Sequence, residues 1–527
     1  MLKLGPIVKF LGCTDTGWHI SVMALADHAD GPPSFNVSTS GAINPRKLCD
    51  LSHSKSSVWR WECKIPQKAA AQSIEYQLNG KTYTLQVPAK NSMPSIVYAS
   101  CNGFSDPKLM KQVSNKNTLW NRISRLHQGE DKIRGRRYGP WNLLLLGGDQ
   151  VYSDAMWQVV PELRAWVDLD WSQRAKRMFN QTMRAQVEKF FEGLYLDNWS
   201  QPEVAAVLAS VPSVMMWDDH DIFDGWGSYP HQQHTCPVYQ GIFEVAKFYF
   251  RLFQQQSIDT PDPAELPGQP AFNQAYNLGD LGILVLDMRS ERKPHTPNSK
   301  SNEYMPDQVM SEASWNAVYK WLDQHVATQQ LQHLLVVSSI PVVHPTFGLL
   351  EKMLGFIPGQ QELEDDLRDH WTSAPHMQER LRMVHRLLRF SAEKKCRVTL
   401  LSGDVHVAAV GVIESDRNDV PPNARVINQL TSSGIVHPAP PAMVRYFLEQ
   451  ACKNVETVDR GITAAMYEFP ATTRRLIGAR NFLSLEPDDK DRLWANWWVE
   501  NETDPTTKTL HPVQVKAKPI EESSTPT

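Results

Sequence analysis

The chain has 527 residues, 41% of them hydrophobic and 21% charged, with a formal net charge of −4. That balance is ordinary for a globular protein and leaves no basic footprint for nucleic acid or an anionic membrane surface. No apolar run approaches the roughly 20 residues that span a bilayer, and the length exceeds what one small core supports, so more than one domain is expected.

Seven cysteines (Cys13, Cys49, Cys63, Cys101, Cys236, Cys396 and Cys452) lie scattered without CxxC spacing. This argues against a zinc ribbon or a disulfide framework and fits a reducing compartment. The opening "MLKLGPIVKFLGCTDTGWHI" has no sustained apolar stretch, small-residue cleavage site or twin arginine, so a cytoplasmic location is expected.

Along the chain, "GWHISVMAL", "SSVWRWECKI", "IEYQLNG" and "KTYTLQVP" are short alternating segments separated by turn residues. They predict a small all-β, immunoglobulin-like sandwich over residues 1–93. After Pro94 the pattern changes to "SIVYASC", "NLLLLGGD", "VPSVMMWDD", "LGILVLDMR", "LLVVSSIP", "RVTLLSGDVH" and "RVINQLTSSG". Continuous apolar runs of this kind suit strands covered on both faces. Amphipathic stretches lie between them, such as "QTMRAQVEKFFEGLYL", "SEASWNAVYKWLDQHVA" and "HMQERLRMVHRLLRFSAEKK". An α/β layered domain is therefore predicted over residues 94–500, followed by a disordered, proline-bearing tail over 501–527.

The chemistry collects where these strands end. Cys101 and Asn102 follow the first, Asp149 and Tyr152 the second, and Asp218, Asp219, His220, Asp221 and Asp224 the third. Asp287, Arg289 and Arg292 follow "LGILVL", while Asp404 and His406 follow "RVTLLSG". Each turn alone has a plainer explanation, as a capped helix start or a solvated acidic loop. Together they point elsewhere, because open α/β sheets bind ligands outside their carboxyl strand ends. Four acids within "DDHDIFD" repel one another unless a cation sits among them, and Asp and His are metal ligands.

The motifs "ASCNG" (99–103), "GGDQVY" (147–152), "WDDHDIFDGW" (217–226), "LDMRSER" (286–292) and "SGDVHVA" (402–408) resemble those of the metallophosphatase superfamily. They come closest to its PhoD-like (alkaline phosphatase D) branch, in family order over most of residues 94–440. The resemblance implies two packed mixed β-sheets flanked by helices, with metal ions between their ends and a β-sandwich ahead. It also implies that Asp149 bridges two ions, that Tyr152 and Cys101 bind ferric iron, and that Asp219 is a ligand. Asp218 would add a ligand to the second ion, and Asp404 and His406 would form the final metal-binding pair. His220 would assist the leaving group. Relatives often carry an asparagine ligand of calcium where this chain reads "IFDGWG", so either Asp224 serves there or that ion is absent or different. Fe3+ and Ca2+ are the implied cofactors, with Zn2+ or Mn2+ as alternatives.

The function so implied is metal-dependent hydrolysis of a phosphoester through a metal-activated water, with Arg289 or Arg292 forking onto phosphate oxygens. An ion pair with Asp287 is the alternative reading for Arg289. Two other functions stay open: a non-catalytic metal-binding interaction protein on the same fold, and hydrolysis of a different ester. Asp369, His370, Trp371, His344 and His437 are weaker pocket candidates, and Asp154 has no assigned role.

Overall fold

The computed structural model describes residues 1–294, 296–297, 304–305, 308–328, 331–345, 371 and 376–513. Two large mixed sheets dominate it. The first has ten strands; at its centre Ile96–Ala99, Leu143–Gly147, Ser213–Met216 and Leu2–Thr14 lie side by side and parallel. The second has nine, with Leu281–Val285, His333–Val337, Arg397–Ser402 and Val426–Thr431 forming its parallel centre. These runs read as unbroken apolar sequence because both faces are covered. Every residue of Ile96–Ala99, Leu143–Gly147 and Ser213–Met216 is buried.

A single apolar core fills the space between the sheets, joining Val8, Tyr98, Leu145 and Met216 of the first to Val285, Val337, Leu401 and Leu430 of the second. A second core lies on the far face of the second sheet, where Glu312–Thr328 and Met377–Lys394 cover it. Both helices were legible as amphipathic sequence. The two-sheet α/β architecture is the one expected, and parallel central strands aim their carboxyl ends at one edge.

The domain boundaries differ from expectation at both termini. Residues 1–93 fold as strands apart from a short 3-10 turn at His28–Asp30, and the sheet of Phe35–Val37, Gly41–Ala42, Gln72–Leu78 and Lys81–Val87 packs through Phe35 onto Trp61, with ring centroids 5.3 Å apart. They do not form a self-contained unit, however. Leu2–Thr14 runs parallel to Ser213–Met216, with Lys9 opposite Ser213, so the first strand of the chain is an interior strand of the first sheet. Ser213 Oγ donates to the Val8 carbonyl at 2.9 Å, Gln256 Nε2 to that of Ile7 at 2.9 Å, and buried Lys9 pairs with Asp262 at 3.3 Å. Pro6 and bulges at Leu4/Ile7 and Phe10/Gly12 interrupt the alternation that would have announced this strand.

The tail prediction is also corrected. Thr506–Leu510 pairs with Leu493–Val499 and forms the outer edge of the first sheet. Residues 514–527 lie outside the described residues. Among the described residues, no helix is long and apolar enough to cross a membrane.

Removal of residues 1–93 would strip the Ser213–Met216 strand of its neighbour. A fragment beginning at residue 94 should show no cooperative thermal transition by calorimetry, whereas a sharp transition near that of the full chain would refute the shared-sheet description.

Candidate metal centre

Six chain segments, from both sheets, converge at the carboxyl edge. Backbone hydrogen bonds knit their turns together: Asn102 N–H donates to Asp149 C=O at 2.8 Å, His437 N–H to Cys101 C=O at 3.2 Å, and Ser153 N–H to His220 C=O at 3.0 Å. Four residues at this edge adopt left-handed backbone, with φ of 56° at Cys101, 55° at Asp149, 68° at Asp404 and 53° at His406. Such conformations cost non-glycine residues roughly 1–3 kcal/mol each and cluster where structure is over-determined for function. Gly148, with φ of 114°, is required for a different reason: a Cβ there would sit 2.8 Å from Asp218 Cβ.

The side chains form three overlapping groups whose potential ligand atoms lie within 4.8 Å of one another. They are Cys101–Asp149–His406, Asp149–Asp219–His220 and Asp218–Asp219–Asp404. Asp149 belongs to two of them, as does Asp219. Tyr152 joins the first: its Oη lies 3.3 Å from both Asp149 Oδ2 and His406 Nε2. Its ring stacks on His220 at 4.2 Å, and His406 stacks on His437 at 3.5 Å.

Asp149 is 1% exposed, and its Oδ1 accepts no hydrogen bond among the described residues. Burial pushes its carboxyl well above the usual range, opposed by the His220 charge and reinforced by Asp219, Asp218 and Asp221. Burial and then the Asp149 charge likewise raise the Cys101 thiol and the Tyr152 phenol. His406 is driven the other way, to a neutral ring, by burial and by the neighbouring His437 and His220. A buried acid with an orphaned oxygen is costly unless a cation compensates it. A bound cation reverses the shifts on thiol, phenol and carboxyl together, and a neutral imidazole is the form that ligates. The donor set therefore fits metal ions.

His220 has a partner that the motif did not reveal. Its Nδ1 lies 2.6 Å from Asp154 Oδ2, and Asp154 Oδ1 accepts from the Asp224 amide at 2.8 Å. Burial alone would hold this imidazole neutral. The Asp154, Asp219 and Asp149 carboxylates outweigh it and raise the pKa well above the ordinary histidine value.

Asp221 is a second organiser. It accepts from the amides of Gln150 at 3.2 Å, Val151 at 3.3 Å and Asp218 at 2.9 Å, and from Gln254 Nε2 at 2.8 Å. It thus locks the Asp149 and Asp218 turns to each other, and burial still raises its carboxyl to about 7. Gln254 is supplied by a π-helical turn, Phe250–Gln254, a local irregularity common near functional sites. The sequence marked Asp221 only as one acid of the "DDHDIFD" cluster and Gln254 not at all.

Several candidates land elsewhere than predicted. Arg289 is fully buried; its Nε binds Asp218 Oδ1, its Nη2 lies 3.2 Å from Asp219 Oδ1, and its Nη1 donates to Trp226 C=O at 3.0 Å. A guanidinium enclosed on two site carboxylates is placed to hold them in position. Asp287 instead accepts from Trp217 Nε1 at 2.9 Å and from the Phe272 and Arg289 amides. Arg292 is buried too, with Nη2 3.4 Å from Ser228 Oγ. Asp224 falls in none of the three groups; its amide and carbonyl are held by Asp154 and by Tyr229 Oη. Trp371 is a core residue whose Nε1 donates to Ser338 Oγ at 3.2 Å. His344 Nδ1 lies 3.2 Å from the Pro345 carbonyl oxygen. Asp369 and His370 lie outside the described residues.

The two-sheet layout and the acid-rich edge define the metallophosphatase-like fold. A solved structure described as "Structure of PhoD" superposes with a TM-score of 0.55 over 96% of this chain and 88% of that one, at 13% identity. A purple acid phosphatase, PPD1, from yellow lupin seeds gives 0.48 over 96% and 74%, at 11% identity. The family described as "PhoD related phosphatase" matches residues 99–357 and 346–511. This chain belongs to the PhoD-related phosphatase family. In Saccharomyces cerevisiae it is similar to the protein YGR266W, described as uncharacterized, at 28% identity over 484 residues, which is 75% of this chain and 65% of that relative.

Two outcomes follow from this geometry. Asp154→Asn should lower kcat for a phosphoester roughly 10- to 100-fold and move the alkaline limb of the kcat–pH profile to lower pH, because the charge that retains the His220 proton is gone. An unmoved limb would count against the pairing. The second concerns stability. A carboxyl whose folded pKa is raised contributes stability that is full below its unfolded value near 4 and is lost as pH rises through the folded value. Metal-free Asp149→Asn should therefore melt about 2 °C or more above the metal-free parent at pH 8, with the gap closing toward pH 4.

Proposed function

We propose that the chain is a metal-dependent phosphoester hydrolase with at least two cations at the strand ends. The observation that carries this reading is Asp149, shared between two ligand groups and keeping one buried oxygen without a partner. Cys101, Tyr152, His406 and Asp149 would hold the first ion; sulfur, phenol and imidazole together favour a transition metal, with ferric iron the best match. Asp218, Asp219 and Asp404 form an all-oxygen group suited to a hard cation such as Ca2+ or Mn2+. Bound cations supply acidified water and neutralise charge on phosphoryl oxygens.

The chain's own residues do the rest. Asp154 holds His220 through Nδ1, leaving Nε2 to carry a proton to the departing alkoxide. Arg289 fixes the separation of Asp218 and Asp219, and Asp221 fixes the turns that carry Asp149 and Asp218. These buried supports hold the first-contact groups to the narrow tolerance that catalysis needs.

The test compares 4-nitrophenyl phosphate, bis(4-nitrophenyl) phosphate and 4-nitrophenyl acetate with the purified protein, before and after chelation. Chelation should cut phosphoester turnover by about a hundredfold or more, with recovery on adding Fe, Mn or Ca. Unchanged rates, or turnover confined to the acetate, would overturn the reading.

A further inference from the structure

A cavity of about 180 Å³ opens against the Tyr152 ring, which stands between it and the other ligand-type side chains of the centre. Its apolar wall is Phe104, Met110, Val204 and Val436, and its polar members include Ser105 and Lys116. Gly103 forms part of the lining because a Cβ there would collide with the Tyr152 ring. Ser105 connects the cavity to the centre: its Oγ lies 3.2 Å from His437 Nε2, and His437 stacks on His406. The ring orientation is fixed, since His437 Nδ1 lies 2.8 Å from the Pro438 carbonyl oxygen and must donate to it. The cavity therefore adjoins the centre through Tyr152, Ser105 and His437.

Lys116 gives the cavity its chemical character. It is half-buried, and its ammonium makes no ion pair or side-chain hydrogen bond with any described residue. Its position is nonetheless set by the fold. Buried Arg480 donates to the backbone carbonyls of Lys116 at 3.0 Å and Asn115 at 2.9 Å, while its own charge is taken up by Glu500. The next residue, Asn117, is tied to Glu203 at 3.0 Å. A partly desolvated cation with a pinned backbone and no internal counter-charge is a ready partner for an anion. The volume falls below the roughly 300–1,000 Å³ of pockets that enclose drug-sized ligands, so it suits one ring or a short polyol and not a polymer strand.

We propose that this cavity is the alcohol-side subsite, taking a compact, partly apolar ester group that bears an anionic substituent, carboxylate or phosphate, paired with Lys116. The inference rests on the phosphoesterase reading for the placement of the phosphoryl group, but its test needs no turnover. The probes are benzylphosphonate and 4-carboxybenzylphosphonate, titrated calorimetrically into the metal-loaded full chain. The carboxylated probe should bind about five- to tenfold more tightly, a range set by a charge-assisted hydrogen bond at a half-exposed site. Lys116→Gln should erase that preference and Lys116→Arg should retain most of it. Equal affinities in the parent protein, no binding of either probe, or a preference that survives in Lys116→Gln would each overturn the proposal. Hydrolysis of phosphoesters without any such preference would sink the subsite alone, whereas the preference without hydrolysis would sink only the enzymatic reading.

Discussion

Everything at the carboxyl edge depends on the cost of burying the Asp149 carboxylate beside Asp218, Asp219 and Asp221. Uncompensated, four acids in a desolvated space would be among the most destabilising arrangements a fold can carry. The chain compensates three of them internally, Asp218 and Asp219 with the Arg289 guanidinium and Asp221 with three amides and Gln254. Asp149 is left with an oxygen that no described group satisfies. The selectivity of this compensation is informative: Arg289 and backbone amides hold the flanking carboxylates, and the central one keeps an oxygen without a described partner.

That arrangement explains the supporting structure. A carboxylate can be left poised in this way only if its backbone cannot relax, and relaxation is blocked from several sides. The Leu143–Gly147 strand is wholly buried between neighbours, the Asp149 and Cys101 turns share backbone hydrogen bonds, and Gly148 lets Asp218 approach where a side chain would collide. The left-handed residues at Cys101, Asp149, Asp404 and His406 are strain held in place by this packing. The first strand of the chain belongs to the same brace, since Leu2–Thr14 lines up against Ser213–Met216, the strand that delivers Asp218 and Asp219.

Much of this was legible in the sequence, for a physical reason. Strands buried on both faces must be written as apolar runs, so "NLLLLGGD" and "RVTLLSGDVH" announced both the strand and the residue it delivers. Cys101, Tyr152, Asp219 and His406, which the fold gathers at one edge, were reachable as candidates because each follows such a run closely. Residues that act through others follow no run. Asp154 orients His220 from five positions beyond Asp149, Asp221 is one acid among several, and Gln254 comes from a π turn at the end of a helix. The ion pairs of Arg289 were not legible for the same reason, because Asp218 and Asp219 are distant from it in sequence. The terminal strands were hidden by Pro6 and by polar alternation in "TTKTL", whose strand character comes from pairing along a sheet edge.

The central claim is that the orphaned oxygen of Asp149 is satisfied by a cation. Elemental analysis of the protein after reconstitution with Fe, Mn and Ca and exhaustive dialysis tests it most directly, with Asp149→Ala measured alongside. The account predicts about two or more metal equivalents per chain in the parent and a loss of at least one in the variant. Substoichiometric metal in the parent, or equal metal in both proteins, would contradict it.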